Sequence, residues 1–135
     1  MTLSEWLLES TALLEPISKT PRLDALILLE LITNRSRADL LASGKEPLSV
    51  MRQGKLKKLL ARRLNGEPIA YIAGQKEFYG RDFIVNHAVL VPRPESEAFI
   101  ELLKTLRQKE RIHIVADIGT GSGILAITTK LTFPD

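Results

Sequence analysis

The 135-residue sequence contains no cysteine, which excludes disulfides and thiolate metal sites and is compatible with a cytoplasmic address. It also lacks a long apolar run. The longest, residues 25–29, falls far short of the roughly 20 residues that cross a bilayer, so no membrane association is expected. No basic segment leads an apolar core in residues 1–10, which argues against a secretory signal. There is no internal repeat and no low-complexity tract. Nor does one sign of charge dominate. Nineteen Lys and Arg against sixteen Asp and Glu give a formal charge of +3, short of a nucleic-acid-binding signature, and no direct nucleic-acid binding is expected. What is present, 44% hydrophobic and 26% charged residues, is the composition of a soluble globular protein rather than a disordered one. The length suits one domain, or a small domain with part of another.

The first 65 residues read as short, well-punctuated helices. Thr2-Leu3-Ser4-Glu5 is a capping-box pattern, followed by Leu3, Trp6, Leu7 and Leu14 at helical spacing and stopped by Pro16. Thr20-Pro21 offers a side-chain cap and a proline at the first helical position. The helix it opens, 22–32, is apolar around most of its circumference, which places it at the centre of a bundle with Leu26 and Ile27 innermost. Ser36-Arg37-Ala38-Asp39 opens a third helix that Gly44 ends. The fourth, 49–64, carries Leu56, Leu59, Leu60 and Leu64 on one face. Lys55, Lys57, Lys58, Arg62 and Arg63 lie mostly off that stripe, as a solvated face or as a surface for RNA or an acidic partner. Gly54 is expected to delay its start. A short helix over 69–73 ends at Gly74.

The period then changes. Glu77-Phe78-Tyr79, Gly80-Arg81 and Asp82-Phe83-Ile84-Val85 read as a hairpin with a tight turn at Gly80, followed by an apolar extension at 88–91. Pro94 opens a helix containing Phe99, Leu102 and Leu106, and a charged loop at 107–111 leads to a strand of Ile112, Ile114, Val115 and Ile118. The strand runs into Asp117-Ile118-Gly119-Thr120-Gly121-Ser122-Gly123 and a helix start. Glycines there permit a tight turn and let a ligand reach the backbone and the free N–H groups of the helix.

Gly123 is followed by Ile124-Leu125, not Lys-Ser/Thr, which eliminates a P-loop. Two ligand readings remain beside a purely structural turn. Gly121-x-Gly123-x-x-Ala126 fits a permissive dinucleotide fingerprint. The register Asp117-x-Gly119-x-Gly121-x-Gly123 instead uses every residue, and matches the acidic-x-Gly-x-Gly-x-Gly pattern of S-adenosylmethionine-dependent methyltransferases. Its carboxylate suits a cationic ligand better than a pyrophosphate. The alternatives for the whole chain are a fragment of a dinucleotide-binding oxidoreductase and a helical adaptor module.

Three further stretches precede the loop: Arg22-Leu23-Asp24-Ala25, Gly66-Glu67-Pro68-Ile69-Ala70-Tyr71-Ile72-Ala73-Gly74, and Val91-Pro92-Arg93-Pro94-Glu95-Ser96-Glu97. With Glu77-Phe78-Tyr79-Gly80 and Phe83, they resemble the HemK/PrmC family over essentially the whole chain. That family methylates the glutamine side-chain amide of the Gly-Gly-Gln motif in peptide chain release factors. Ser96 stands where threonine is more usual.

The resemblance implies an N-terminal all-α helical bundle (1–70) for release-factor recognition and a β-hairpin linker (71–92). The start of a Rossmann-like α/β methyltransferase domain (93–135) would follow, containing only its first strand and helix. It implies S-adenosylmethionine as cofactor, contacted by Gly119, Thr120, Gly121, Ser122 and Gly123, with Asp117 supporting the loop. Phe78, Arg93 and Glu97 would border the active-site mouth; alternatively Phe78 packs the hairpin, and Arg93 and Glu97 pair with each other. No metal is implied, and His87 and His113 read as structural. The Asn-Pro-Pro-Tyr motif and the ribose-binding acid expected of the family lie beyond residue 135. The catalytic residues are therefore expected outside this sequence, and the 135 residues alone are expected to be inactive.

Overall fold

A computed structural model describes residues 1–110 and 112–134, and the chain forms two compact units, Met1–Ala73 and Gly74–Asp135. The first is entirely helical. Helix α1, Leu3–Leu14, begins with the reciprocal box read from the sequence: Thr2 Oγ1 accepts from the Glu5 N–H and Glu5 Oε2 accepts from the Thr2 N–H. Helix α2, Pro21–Thr33, starts differently. The Thr20 hydroxyl turns to Asp24 Oδ1 at 3.4 Å instead of capping the backbone. Helix α3, Arg37–Ala42, is capped by Ser36, whose Oγ accepts from the Asp39 N–H. Helix α4, Val50–Leu64, is capped by Ser49, and the short α5, Ile69–Ala73, closes the unit.

Helix α2 packs against α1, α3, α4 and α5, as its apolar circumference requires. Its innermost residues are Leu28 and Leu29, which meet Leu14 and Leu56 in one cluster. Leu26 is buried too, but Ile27 is only half-buried, so the centre lies one turn-face away from where the sequence suggested. Helix α4 begins at Val50 despite Gly54, because the Ser49 cap and the burial of Leu56 and Leu60 outweigh a cost of about 1 kcal/mol. Leu64, expected on the buried stripe, is exposed. Gly44 has a role the sequence did not show. A Cβ there would lie 2.1 Å from Ser4 Oγ, so a side chain would force the Ser4 hydroxyl to turn away from the loop whose carbonyl accepts the Ser4 N–H.

The second unit opens with a two-stranded antiparallel hairpin, β1 Gln75–Phe78 and β2 Arg81–Ile84, in register Phe78↔Arg81. Tyr79 and Gly80 form its turn, both with positive φ (53° and 74°), the geometry that matches strand twist in a two-residue loop. Residues 88–91 are not a strand; the Val89 N–H bonds the Asn86 carbonyl in a turn. A 3₁₀ turn, Pro94–Ser96, feeds helix α6, Glu97–Lys109, which takes in most of the charged segment expected as a loop. Arg111, the end of that segment, lies outside the described residues, as does Asp135.

Residues 112–117 carry the expected apolar strand sequence but pair with no strand among the described residues, leaving Ile114 and Ile118 almost fully exposed. A strand exists only where a neighbour accepts and donates its ladder bonds. Helix α7, Ile124–Thr132, follows the glycine loop. Phe78, Ile100 and Ile124 form this unit's core, with Tyr79, Phe83 and Leu125 against it. The architecture is thus a helical bundle and a predominantly helical second unit with one hairpin. No helix is long and apolar enough to cross a membrane among the described residues.

Candidate functional site around the glycine loop

Gly119, Gly121 and Gly123 all take left-handed backbone (φ 79°, 56° and 74°), a conformation that a β-carbon disfavours. Asp117 organises them. Its Oδ2 accepts the Thr120 hydroxyl at 3.0 Å and the Ala126 N–H at 3.3 Å, spanning the loop from strand-like segment to helix. The Gly123 N–H bonds the Thr120 carbonyl at 2.9 Å, closing the turn between them. Helix α7 has no side-chain cap from Gly123, so the Asp117 carboxylate takes that role and sits at the positive end of the helix dipole. The amides of Ile124 and Leu125, in the first turn, have no acceptor within the helix. Thr120 is exposed and Ser122 half-buried.

Phe78 is fully buried, edge-on to Phe83 at 6.5 Å between ring centroids. Through the core it shares with Ile124, it packs beside the helix start that follows Gly123. Arg93 is exposed and its guanidinium meets no acid among the described residues, so the Arg93–Glu97 pair weighed from sequence does not form. Glu97 does something else: its Oε1 accepts the Tyr79 N–H at 2.9 Å, tying the hairpin turn to the first turn of α6.

One turn further along α6, Glu101 accepts from the Tyr79 hydroxyl and from Lys104 Nζ, and Lys104 also lies 4.9 Å from the Tyr79 ring centroid. The Tyr79 hydroxyl, then the Lys104 ammonium, hold the Glu101 carboxyl below its usual range. The Tyr79 hydroxyl, then the Glu101 carboxylate, push Lys104 upward. The reading of the sequence missed this clamp. Its only signal is the spacing Glu97, Glu101, Lys104, which puts all three on one helix face.

A groove of about 550 Å³ runs along the same unit, lined by Leu102, Leu103, Val115, Asp117, Leu125 and Phe133 among others. It is largely apolar, with Asp117 contributing a carboxylate. Among the described residues, no group of three His, Asp or Glu side chains could hold a metal ion.

Comparison with known proteins follows the same lines. A family model described as the PrmC N-terminal domain matches residues 5–74, more than half of the chain. The chain belongs to this family. It is also similar to release factor glutamine methyltransferases along nearly all of its length. It is 48% identical to that of Coxiella burnetii over 122 residues, 90% of this chain and 44% of the relative. Identity is 43% over 136 residues with that of Neisseria gonorrhoeae, all of this chain and 46% of the relative. With that of Escherichia coli K12 it is 38% over 135 residues, all of this chain and 48% of the relative. The chain therefore spans somewhat less than half the length of these curated relatives.

Proposed function

We propose that the protein carrying this chain transfers a methyl group from S-adenosylmethionine to the glutamine side-chain amide of peptide chain release factors. The helical unit recognises the release factor and the glycine loop holds the cofactor, in the cytoplasm and without nucleic acid. The observation that supports this reading most directly is Asp117 bracing a loop of three left-handed glycines at the start of α7.

The residues present suit the ligand. A β-carbon built at Gly119 would meet nothing within 4 Å, so a ligand can approach the backbone there. The Ile124 and Leu125 amides match a carboxylate. Asp117 Oδ2 is engaged within the loop, while Oδ1 takes part in none of these bonds and suits a cationic group. When bound, S-adenosylmethionine supplies an electrophilic methyl on a sulfonium. The new N–C bond forms as the S–C bond breaks, and the nitrogen loses one proton. An amide nitrogen is a poor nucleophile because its lone pair is delocalised, so rate enhancement rests on alignment and on acceptors for its protons rather than on a strong base. The chain's own share is to fix the loop, through Asp117 and Thr120, and to order the α7 start, through the Phe78–Ile124 core.

The test is transfer of a tritiated methyl from S-adenosylmethionine to a purified release factor by the protein carrying this chain. Label on the wild-type factor but not on one whose Gly-Gly-Gln glutamine is replaced is the expected result. Asp117→Ala should reduce the rate at least about tenfold by loosening the loop. Label on neither factor, or equally on both, overturns the proposal. Tight binding of a nicotinamide dinucleotide in place of S-adenosylmethionine would favour the oxidoreductase reading.

A further inference from the structure

Helix α4 is charged in a way its own fold does not use. It carries Arg52, Lys55, Lys57, Lys58, Arg62 and Arg63 and no acidic residue. Among the described residues only two of these meet carboxylates: Arg62 pairs with Glu67 and Arg63 with Asp24. Arg52 stands in the first turn, at the positive end of the helix dipole. Arg52, Lys55 and Lys58 follow one another at three-residue spacing, where like charges repel. Each arrangement works against the helix.

The outward face adds two further features. Val50 and Met51 are 87% and 68% exposed although both are apolar. Gly54 sits mid-helix where nothing within 4 Å would touch a Cβ, and its backbone is ordinary helix. Neither crowding nor a left-handed turn accounts for it, and glycine is a poorer helix former than alanine. The helical period sets Val50, Gly54, Lys57, Lys58 and Ala61 on one face, and all five are exposed. That face is a bare backbone strip with apolar residues at one end and lysines beside it.

We propose that this face of α4 is a docking surface for a carboxylate-rich protein surface, which comes close to the backbone at Gly54 and pairs with Lys57 and Lys58. Resting on the function proposed above, that partner is the release factor itself. Exposed Val50 and Met51 favour a protein over RNA, and α4 offers no aromatic ring on which a base could stack.

The 135-residue chain can be tested directly, by fluorescence anisotropy with a labelled bacterial release factor at about 0.1 M salt, where surface charges still act over roughly 10 Å. The variants are Gly54→Gln, the double change Lys57→Gln/Lys58→Gln, and Lys19→Gln/Lys45→Gln as an equal change of charge at exposed sites elsewhere on the unit. Both α4 variants should weaken binding about tenfold and the control less than about twofold. Gly54→Gln should at the same time raise the melting temperature, so lost binding cannot be lost folding. Equal weakening by the control, unchanged binding by Gly54→Gln, or no binding by the wild type overturns the docking surface. So does α4-dependent binding of an oligouridylate in preference to the release factor. Methyl transfer is measured independently, so the docking surface can fail while the proposed reaction stands.

Discussion

Arg63 of α4 donates its Nε hydrogen to Asp24 Oδ2 of α2 at 2.8 Å, joining positions 39 residues apart, with side chains only 14% and 3% exposed. Ser18 Oγ donates to the same oxygen at 2.8 Å, so the buried carboxylate has two donors besides the longer Thr20 contact. Removing one partner of such a pair strands the other charge, whereas removing an exposed pair changes little. Arg63→Ala should therefore cost about 3 kcal/mol, against less than about 1 kcal/mol for Arg62→Ala. Urea titrations of the two variants followed by circular dichroism decide it, and equal losses would show that the buried pair is not special.

Leu28→Ala should cost about 2–5 kcal/mol and Ile27→Ala clearly less, because Leu28 is fully enclosed while Ile27 keeps part of its surface in water. The same titrations rank the two. A larger loss at Ile27 would place the bundle's centre on the other face of α2.

The Ile27 case shows where reading the sequence stopped. The starts of α1 and α3 were legible because Thr2 and Ser36 sit directly before apolar periodicity and cap as their residue types imply; that of α4 was not, since Gly54 pointed to a later start than the one Ser49 caps. The face of α2 was not, since a helix apolar nearly all round has no stripe to aim. That Asp117 supports the glycine loop was legible because its partners are local in sequence. The clamp on Tyr79 was not, because its partners lie 18 to 25 residues away and only folding brings them together.

Thr128 is fully buried on α7 and its hydroxyl has no hydrogen-bond partner among the described residues. Thr128→Val keeps the shape and removes the stranded donor, so it should stabilise the chain by about 1 kcal/mol. A rise in the thermal midpoint is the expected result; a fall would mean that the hydroxyl is satisfied in solution.

Asp117→Ala removes the acceptor of the Ala126 N–H and the Thr120 hydroxyl. Loss of a capping interaction costs about 1 kcal/mol, so the first turn of α7 should fray. Hydrogen exchange should accelerate at Ala126 while the amides of α2 keep their protection. Unchanged exchange at Ala126 would remove Asp117 from its bracing role.

The Glu101 carboxyl, held low by the Tyr79 hydroxyl and then by Lys104, favours its charged form in the folded chain. With the folded value below the unfolded one, its contribution is present above the ordinary carboxylate range. It is lost as pH falls through the lowered value. Carboxyl carbon shifts followed by NMR should show Glu101 titrating at higher pH in Tyr79→Phe than in the wild type. Identical titrations would mean that the phenol does not hold it.

The two-residue turn at Tyr79-Gly80 also fixes where this sequence can change length. Side chains of a strand alternate between faces, so one residue gained or lost between Gln75 and Ile84 would exchange inside for outside. Phe78 would leave the core that it shares with Ile100 and Ile124, and a charged neighbour would take its place. The run from Asn86 to Leu90, exposed except at half-buried Val89, has no such parity to keep. Natural variation in length, and any engineered insertion, should therefore accumulate there and be purged from the hairpin that precedes it.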